Sequence, residues 1–283
     1  MADTTDSGDR PNITSFRADL FAGQAVLVTG AGTGIGRATA ERYAALGARV
    51  LLCGRREDRL AETKASIEAA GGTAHAFPMS IRDPAQVAAA IDDAWLRWGR
   101  LDVVVNNAGG QFPQAAIDYT PKGWLAVIDT NLNGTWWMMQ TAAQRWRDRK
   151  FAGAIVNIVL DVWRGIPGMA HSTAARAGII YLSKTVAVEW APLDIRVNCV
   201  APGLIETEGF QHYDPVAREK FRRDSNPQRR TGNAADIADA CVYLTGPSAK
   251  FITGEVLTVD GGQQLWGDVW ATPKPRFFDW TDK

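Results

Sequence analysis

The chain lacks an excess of charge of either sign. Its 283 residues carry 31 basic and 31 acidic side chains, with a pI near 6.8. That balance argues against a polyanion-binding surface, so no nucleic-acid partner is expected. No stretch approaches the roughly 18 consecutive apolar residues of a membrane span, so no membrane partner is expected either. Residues 1–19 are polar and partly acidic with no apolar core, which does not read as a secretory signal. Cysteine is scarce: Cys53, Cys199 and Cys241 are an odd number at no metal-ligand spacing. They read as small buried hydrophobes in a reducing compartment, and no metal site is expected.

What is present is an ordinary globular composition, 46 % hydrophobic and 22 % charged. Residues 1–19 read as a disordered or loosely docked arm. From Gln24 onward, apolar runs of strand length alternate with amphipathic segments of helix length. Strands are expected at 25–29, 49–53, 75–79, 101–106, 154–159, 195–200 and 256–260. Helices are expected at about 34–46, 57–70, 84–98, 121–149 and 169–190. Strands of continuous apolar character are buried on both faces, which demands a parallel sheet covered by helices. Strict alternation of strand and helix specifies a single-domain, doubly wound α/β sheet of Rossmann type, with helices on both faces and right-handed crossovers. The expected organisation is an arm over 1–19, this domain over 20–262 and an aromatic tail over 263–283.

The run Thr29-Gly30-Ala31-Gly32-Thr33-Gly34-Ile35-Gly36 lies between the first strand and the first helix. In that context a glycine-rich turn means dinucleotide binding, because the backbone approaches a pyrophosphate that the helix N-terminus attracts. Gly30, Gly34 and Gly36 carry the pattern, with Thr33 and Ile35 between them. An acidic residue at the end of the second strand would accept from the ribose 2′-hydroxyl of NAD. None is there; the strand runs into Gly54-Arg55-Arg56. Guanidinium groups bind a 2′-phosphate that a carboxylate would repel, so the expected cofactor is NADP(H).

Together with Asn106-Asn107-Ala108-Gly109, Asn131 and Pro202-Gly203-Leu204-Ile205-Glu206-Thr207, that turn makes the chain resemble the short-chain dehydrogenase/reductase family over about 21–262. The resemblance implies that Asn107, Ala108 and Gly109 close over the adenine side. It implies that Pro202, Gly203, Ile205 and Thr207 contact the nicotinamide end, and that Ser80 and Ile81 replace the usual adenine-binding acid. Ala108-Gly109-Gly110-Gln111-Phe112, the segment 171–178 and Phe251-Ile252-Thr253-Gly254 look like the trans-2-enoyl-CoA and 2,4-dienoyl-CoA reductase branch. Eukaryotic members of that branch are peroxisomal or mitochondrial. The final Asp282-Lys283 is no peroxisomal signal, so a cytoplasmic location is expected.

The family's tyrosine, lysine and serine are all missing. Ser172 stands for the tyrosine, Arg176 for the lysine, and Val159 or Leu160 for the serine; Tyr181 and Lys184 are spaced wrongly to rebuild the pair. A serine is a far weaker acid than a phenol, and an arginine stays protonated. Ser172 and Arg176, four residues apart on one helix face, suit the steadying of an oxyanion or the holding of the ribose. Conjugate reduction of an enoyl thioester needs that help and tolerates the loss of the phenol. Asp161, just beyond the fifth strand, and His171 are alternative acids. Asn131 matches a helix asparagine of the family, with a structural or a relay role.

Three readings stay open. One is a reductase of enoyl- or dienoyl-CoA thioesters. Another is a carbonyl or alcohol oxidoreductase with an atypical acid, and the third is a cofactor-binding protein without turnover. The resemblance further implies a homotetramer built on the two longest helices, and a mobile substrate lid near 210–230, where Arg218, Arg222, Arg223, Arg229 and Arg230 stand ready for CoA phosphates or lie solvated. Trp136-Trp137 read as core or subunit interface. Leu265, Trp266, Trp270, Phe277, Phe278 and Trp280 are too apolar to stay in water; they are expected to dock on the body, cap the cleft or cross to a neighbour.

Overall fold

The computed structural model describes residues 14–208, 215–216, 218–219 and 225–265. The tail beyond Leu265, the first thirteen residues, Arg222 and Arg223 lie outside the described residues. The elements run β1 (Ala25–Thr29), α1 (Gly34–Ala45), β2 (Arg49–Gly54), α2 (Glu57–Ala69), β3 (Thr73–Pro78), α3 (Pro84–Trp98), β4 (Val103–Asn106), α4 (Pro121–Ile128), α5 (Thr135–Arg149), β5 (Gly153–Ile158), α6 (Ala170–Trp190), β6 (Ile195–Pro202), β7 (Ile205–Glu206), β8 (Gly232–Asn233), α7 (Ala234–Thr245) and β9 (Val256–Val259).

Seven strands form one sheet in the order β3-β2-β1-β4-β5-β6-β9, every pairing parallel; β7 and β8 make a separate two-stranded ladder. Alternate residues feed two cores. Val26, Val28, Val50, Leu52, Val103 and Val105 pack with Tyr43 of α1, Leu60 and Ile67 of α2, and Ile237 and Cys241 of α7. Leu27, Leu51, Val104 and Ile155 pack on the opposite face with Val87 and Ile91 of α3, Met138, Met139 and Trp146 of α5, and Val186 of α6. Trp146, fully buried, donates from its indole to the Leu101 carbonyl at 2.7 Å.

Two expectations need correction. The connections were expected to share one hand. However, α7 lies on the face of α1 and α2, while the chain from β6 to β9 moves across the sheet opposite to the β1-β2-β3 direction. The last crossover therefore has the reverse hand of the others. The rule applies to compact strand-helix-strand units; here residues 203–233 separate β6 from α7 in the sequence. The expected single helix over 121–149 is also broken, by a π-helical segment at Asp129–Gly134 between α4 and α5. Periodicity does not register one inserted residue.

Caps explain several boundaries. The Asp83 carboxylate accepts from the Ala85 and Gln86 amides ahead of Pro84, and Gly99 closes α3 in the left-handed region at φ 67°. Thr120 caps α4. Within the described part of the expected arm Phe16 packs against the first core; just past it Leu20 does the same and Phe21 meets Tyr43 edge-on at 4.9 Å. The three cysteines are buried and unpaired. Among the described residues no helix is long and apolar enough to cross a membrane, and no cluster of His, Cys, Asp or Glu is set to hold a metal.

Candidate active site

The ends of β1, β2, β3 and β4 open into a cavity of about 430 Å³. Gly30, Thr33, Gly34 and Ile35 form its floor, Arg55 and Arg56 one wall, Ser80 and Ile81 another; Asn107, Ala108, Gly109 and Thr207 complete it. Thr33, the N-cap of α1, makes no side-chain capping bond, and no acid stands in the first turn of that helix. A helix N-terminus left open beside guanidinium groups fits an anionic dinucleotide. Arg56 reaches across to Thr33 Oγ1 at 3.4 Å.

Five expected cofactor residues are not on this wall: Gly36, Arg176, Pro202, Gly203 and Ile205. Gly36 serves packing, because a Cβ there would strike the Gly30 carbonyl and the Asn107 amide. That amide donates to the carbonyls of Thr29 and Gly30 at 3.0 and 3.4 Å, tying β4 to the turn. Gly203 backs onto Asp260, and Ile205 lines a separate cavity of about 330 Å³ with Arg230 and Asp236. Arg59 and Arg82, absent from the sequence reading, line the first cavity. Arg59 follows Arg55 by one helical turn, a signal open to sequence inspection; it pairs with Glu62 at 3.0 Å, and Arg82 pairs with Asp129 at 3.5 Å.

Above the end of β4 the structure brings Asn131, Ser172 and Arg176 together around Gly109 and Gly110. Asn131, in the π segment, accepts from the Gly110 amide at 2.9 Å and donates to the Gly110 carbonyl at 3.0 Å. Those two bonds fix which end of its amide is nitrogen. The same nitrogen approaches Ser172 Oγ at 3.3 Å, and Ser172 Oγ donates to Gln111 Oε1 at 2.6 Å. Ser172 is fully buried, whereas Gln111 is exposed. Because its oxygen accepts from Ser172, the NH₂ of Gln111 is not the end that meets Ser172. Sequence reasoning quoted Gln111 only within a likeness and assigned it no role.

Arg176 is buried, donates to the Ile158 carbonyl at 2.8 Å and packs behind Gly109. Burial pulls its pKa down to about 10, so it remains a cation at neutral pH. His171 is also buried, with Phe112 and Tyr119 rings at 4.6 and 4.5 Å; burial lowers its pKa and favours the neutral form. The Tyr119 hydroxyl is held by the Gly168 carbonyl at 2.9 Å. Asp161, half-buried, bonds through its amide to Pro202 O at 3.3 Å; burial and the nearby Asp260 charge raise its carboxyl pKa. Tyr181 lies exposed on α6 with the Lys184 ammonium 5.4 Å from its ring, so this pair does not replace the missing one.

A family model described as Enoyl-(Acyl carrier protein) reductase matches residues 30–264. The chain belongs to the short-chain dehydrogenase/reductase family. This is an oxidoreductase family that binds NAD or NADP. The chain is 38 % identical over 259 residues to a probable 2,4-dienoyl-CoA reductase of Bacillus subtilis (strain 168), covering 89 % of this chain and 98 % of that protein. It is 34 % identical over 256 residues to the peroxisomal 2,4-dienoyl-CoA reductase of Rattus norvegicus, covering 88 % and 87 %. A citronellol catabolism dehydrogenase of Pseudomonas aeruginosa PAO1 superposes with TM-score 0.80 at 37 % identity, covering 89 % and 99 %.

A packing role for Gly36 in this dehydrogenase/reductase fold has a direct test. Gly36→Ala should lose about 1–3 kcal/mol of stability, the usual range for overpacking, in denaturant melts without any cofactor. Gly110→Ala, where a Cβ meets nothing within 4 Å, should leave the midpoint unchanged. Equal stability of the two variants would remove the packing role.

Proposed function

We propose that the chain is an NADP(H)-dependent reductase of 2-enoyl or 2,4-dienoyl thioesters, with acyl-CoA as substrate class. The observation that carries this reading is the oriented chain from Asn131 through Ser172 to Gln111. It runs through Ser172, which stands for the family's tyrosine, and ends in an amide, a donor but a far weaker acid than a phenol. When bound, the cofactor supplies the hydride; Gly30, Thr33, Gly34, Ile35, Arg55 and Arg56 would hold its phosphates, and Ser80, Ile81, Asn107, Ala108 and Gly109 its adenosine side. Sequence likeness to the B. subtilis and rat proteins supports the thioester.

The Gln111 amide donates to the thioester oxygen, where negative charge grows as the double bond is reduced. A donor fixed in advance costs no reorganisation at that moment. Ser172 and Asn131 act through Gln111, holding its oxygen inward. The Arg176 cation, behind Gly109, adds a positive field without touching substrate. Asp161 supplies the proton for carbon, its raised pKa keeping the carboxyl protonated further toward neutrality than an ordinary aspartate.

The reading extends to assembly and setting. Trp136 of α5 and Trp190 of α6 stack at 6.3 Å on the helices expected to build a homotetramer. The free cysteines suit a cytoplasmic setting. Arg230 is less available to CoA than expected, since it pairs with Asp236 at 3.6 Å.

The function is tested by following NADPH oxidation with crotonyl-CoA and with a panel of ketones. Turnover of the thioester alone is expected; ketone turnover alone would favour the carbonyl reading, and tight NADPH binding without turnover a binding protein. Arg55→Asp combined with Arg56→Ala should move preference toward NADH by at least tenfold, worth about 1.4 kcal/mol; unchanged selectivity refutes the cofactor assignment. The rate should fall as pH rises through the raised Asp161 pKa, because the proton donor is then ionised. Asp161→Asn should lower turnover and flatten that limb; an identical profile in the variant excludes Asp161.

A further inference from the structure

The rim above the site is aromatic and faces solvent. Phe112, Tyr119 and Trp124 are in successive ring contact, with centroids 5.9 and 6.2 Å apart. Beside them Ile117 is 93 % exposed and Leu125 52 %; Trp163, on the loop after β5, is 45 % exposed. An exposed apolar surface of this kind marks something that covers it.

The root of the C-terminal tail is fixed to the same edge. Both the Gln114 amide and the Tyr119 hydroxyl bond to the Gly168 carbonyl, at 2.9 Å each. Four residues earlier on that loop, Arg164 donates to the Gln263 carbonyl at 2.9 Å, while Gln263 Oε1 accepts from the Leu204 amide at 3.2 Å. The last described residue, Leu265, is 81 % exposed. Eighteen residues follow it, 266–283, with Trp266, Trp270, Phe277, Phe278 and Trp280 among them. Trp270 lies five residues past Leu265, a reach of about 17 Å; the Arg164–Gly168 stretch that separates root from rim spans at most about 14 Å.

We propose that residues 266–283 dock on the rim of their own chain, the tryptophans and phenylalanines covering Phe112, Ile117, Trp124 and Trp163. Root and rim share one edge, the reach suffices, and apolar surface is offered on both sides. This does not rest on the reductase reading, and its test needs no substrate.

The test uses the full chain and trypsin. Lys274 is followed by proline, which leaves Arg276–Phe277 as the cleavable bond inside the tail. In the docked chain that bond should be protected. Ile117→Asp with Trp124→Asp should speed its cleavage several-fold, since proteolysis tracks the open population, while other cleavage sites keep their rates. As a second reading, a chain ending at Leu265 should exchange amide hydrogens faster at 112–125 and 160–169 than the full chain, with sheet peptides unchanged. An Arg276 bond cut equally fast in the parent and the double variant overturns the proposal. So does protection that disappears on about hundredfold dilution, which would assign the covering tail to a neighbouring copy.

Discussion

One side-chain amide organises the loop after β4. Asn131 grips the Gly110 backbone with both ends of its amide, accepting at 2.9 Å and donating at 3.0 Å. That grip sits where the helix opens into the π segment at Asp129–Gly134. It closes the loop after β4 over the sheet edge, sets the polarity of Ser172 and, through Ser172, of Gln111. The buried members of such a network, Asn131 and Ser172, stabilise only when their polar atoms are satisfied, so their directions are not free to vary. Arg176 sits behind the same loop, where Gly109 leaves no room for a Cβ.

The cofactor end follows from a different constraint, the parallel sheet. Buried strands that alternate their side chains between two cores bring the turns after β1, β2, β3 and β4 to one edge. The open N-terminus of α1 and the guanidinium groups of Arg55, Arg56, Arg59 and Arg82 then converge on one cavity. Just after β6 the chain brings Thr207 and Glu208 to the wall of that cavity.

Much of this was legible in the sequence, for stated reasons. Continuous apolar runs such as Ala25–Thr29 and Val103–Asn106 announce strands buried on both faces. The glycine spacing and Arg55-Arg56 announce the cavity, because local chain order fixes them. The hand of the last crossover was not legible, since it depends on which face of the sheet α7 takes. Nor was the role of Gln111, because an exposed amide acquires meaning only from a partner 61 positions away, Ser172. Ser172 and Arg176 share a face of α6 as their spacing implies, and both are buried against the loop that carries Gly109 to Gln111.

The central claim is that Asn131 aims Gln111 through Ser172, and a double-mutant cycle measures that link. Asn131→Ala, Gln111→Ala and the combined variant would be compared in single-turnover reduction with saturating NADPH. The account predicts strong non-additivity, with the double variant no slower than the worse single one and a coupling of about 0.5–3 kcal/mol. Losses that simply add would contradict it, leaving Asn131 as a packing residue and Gln111 acting alone.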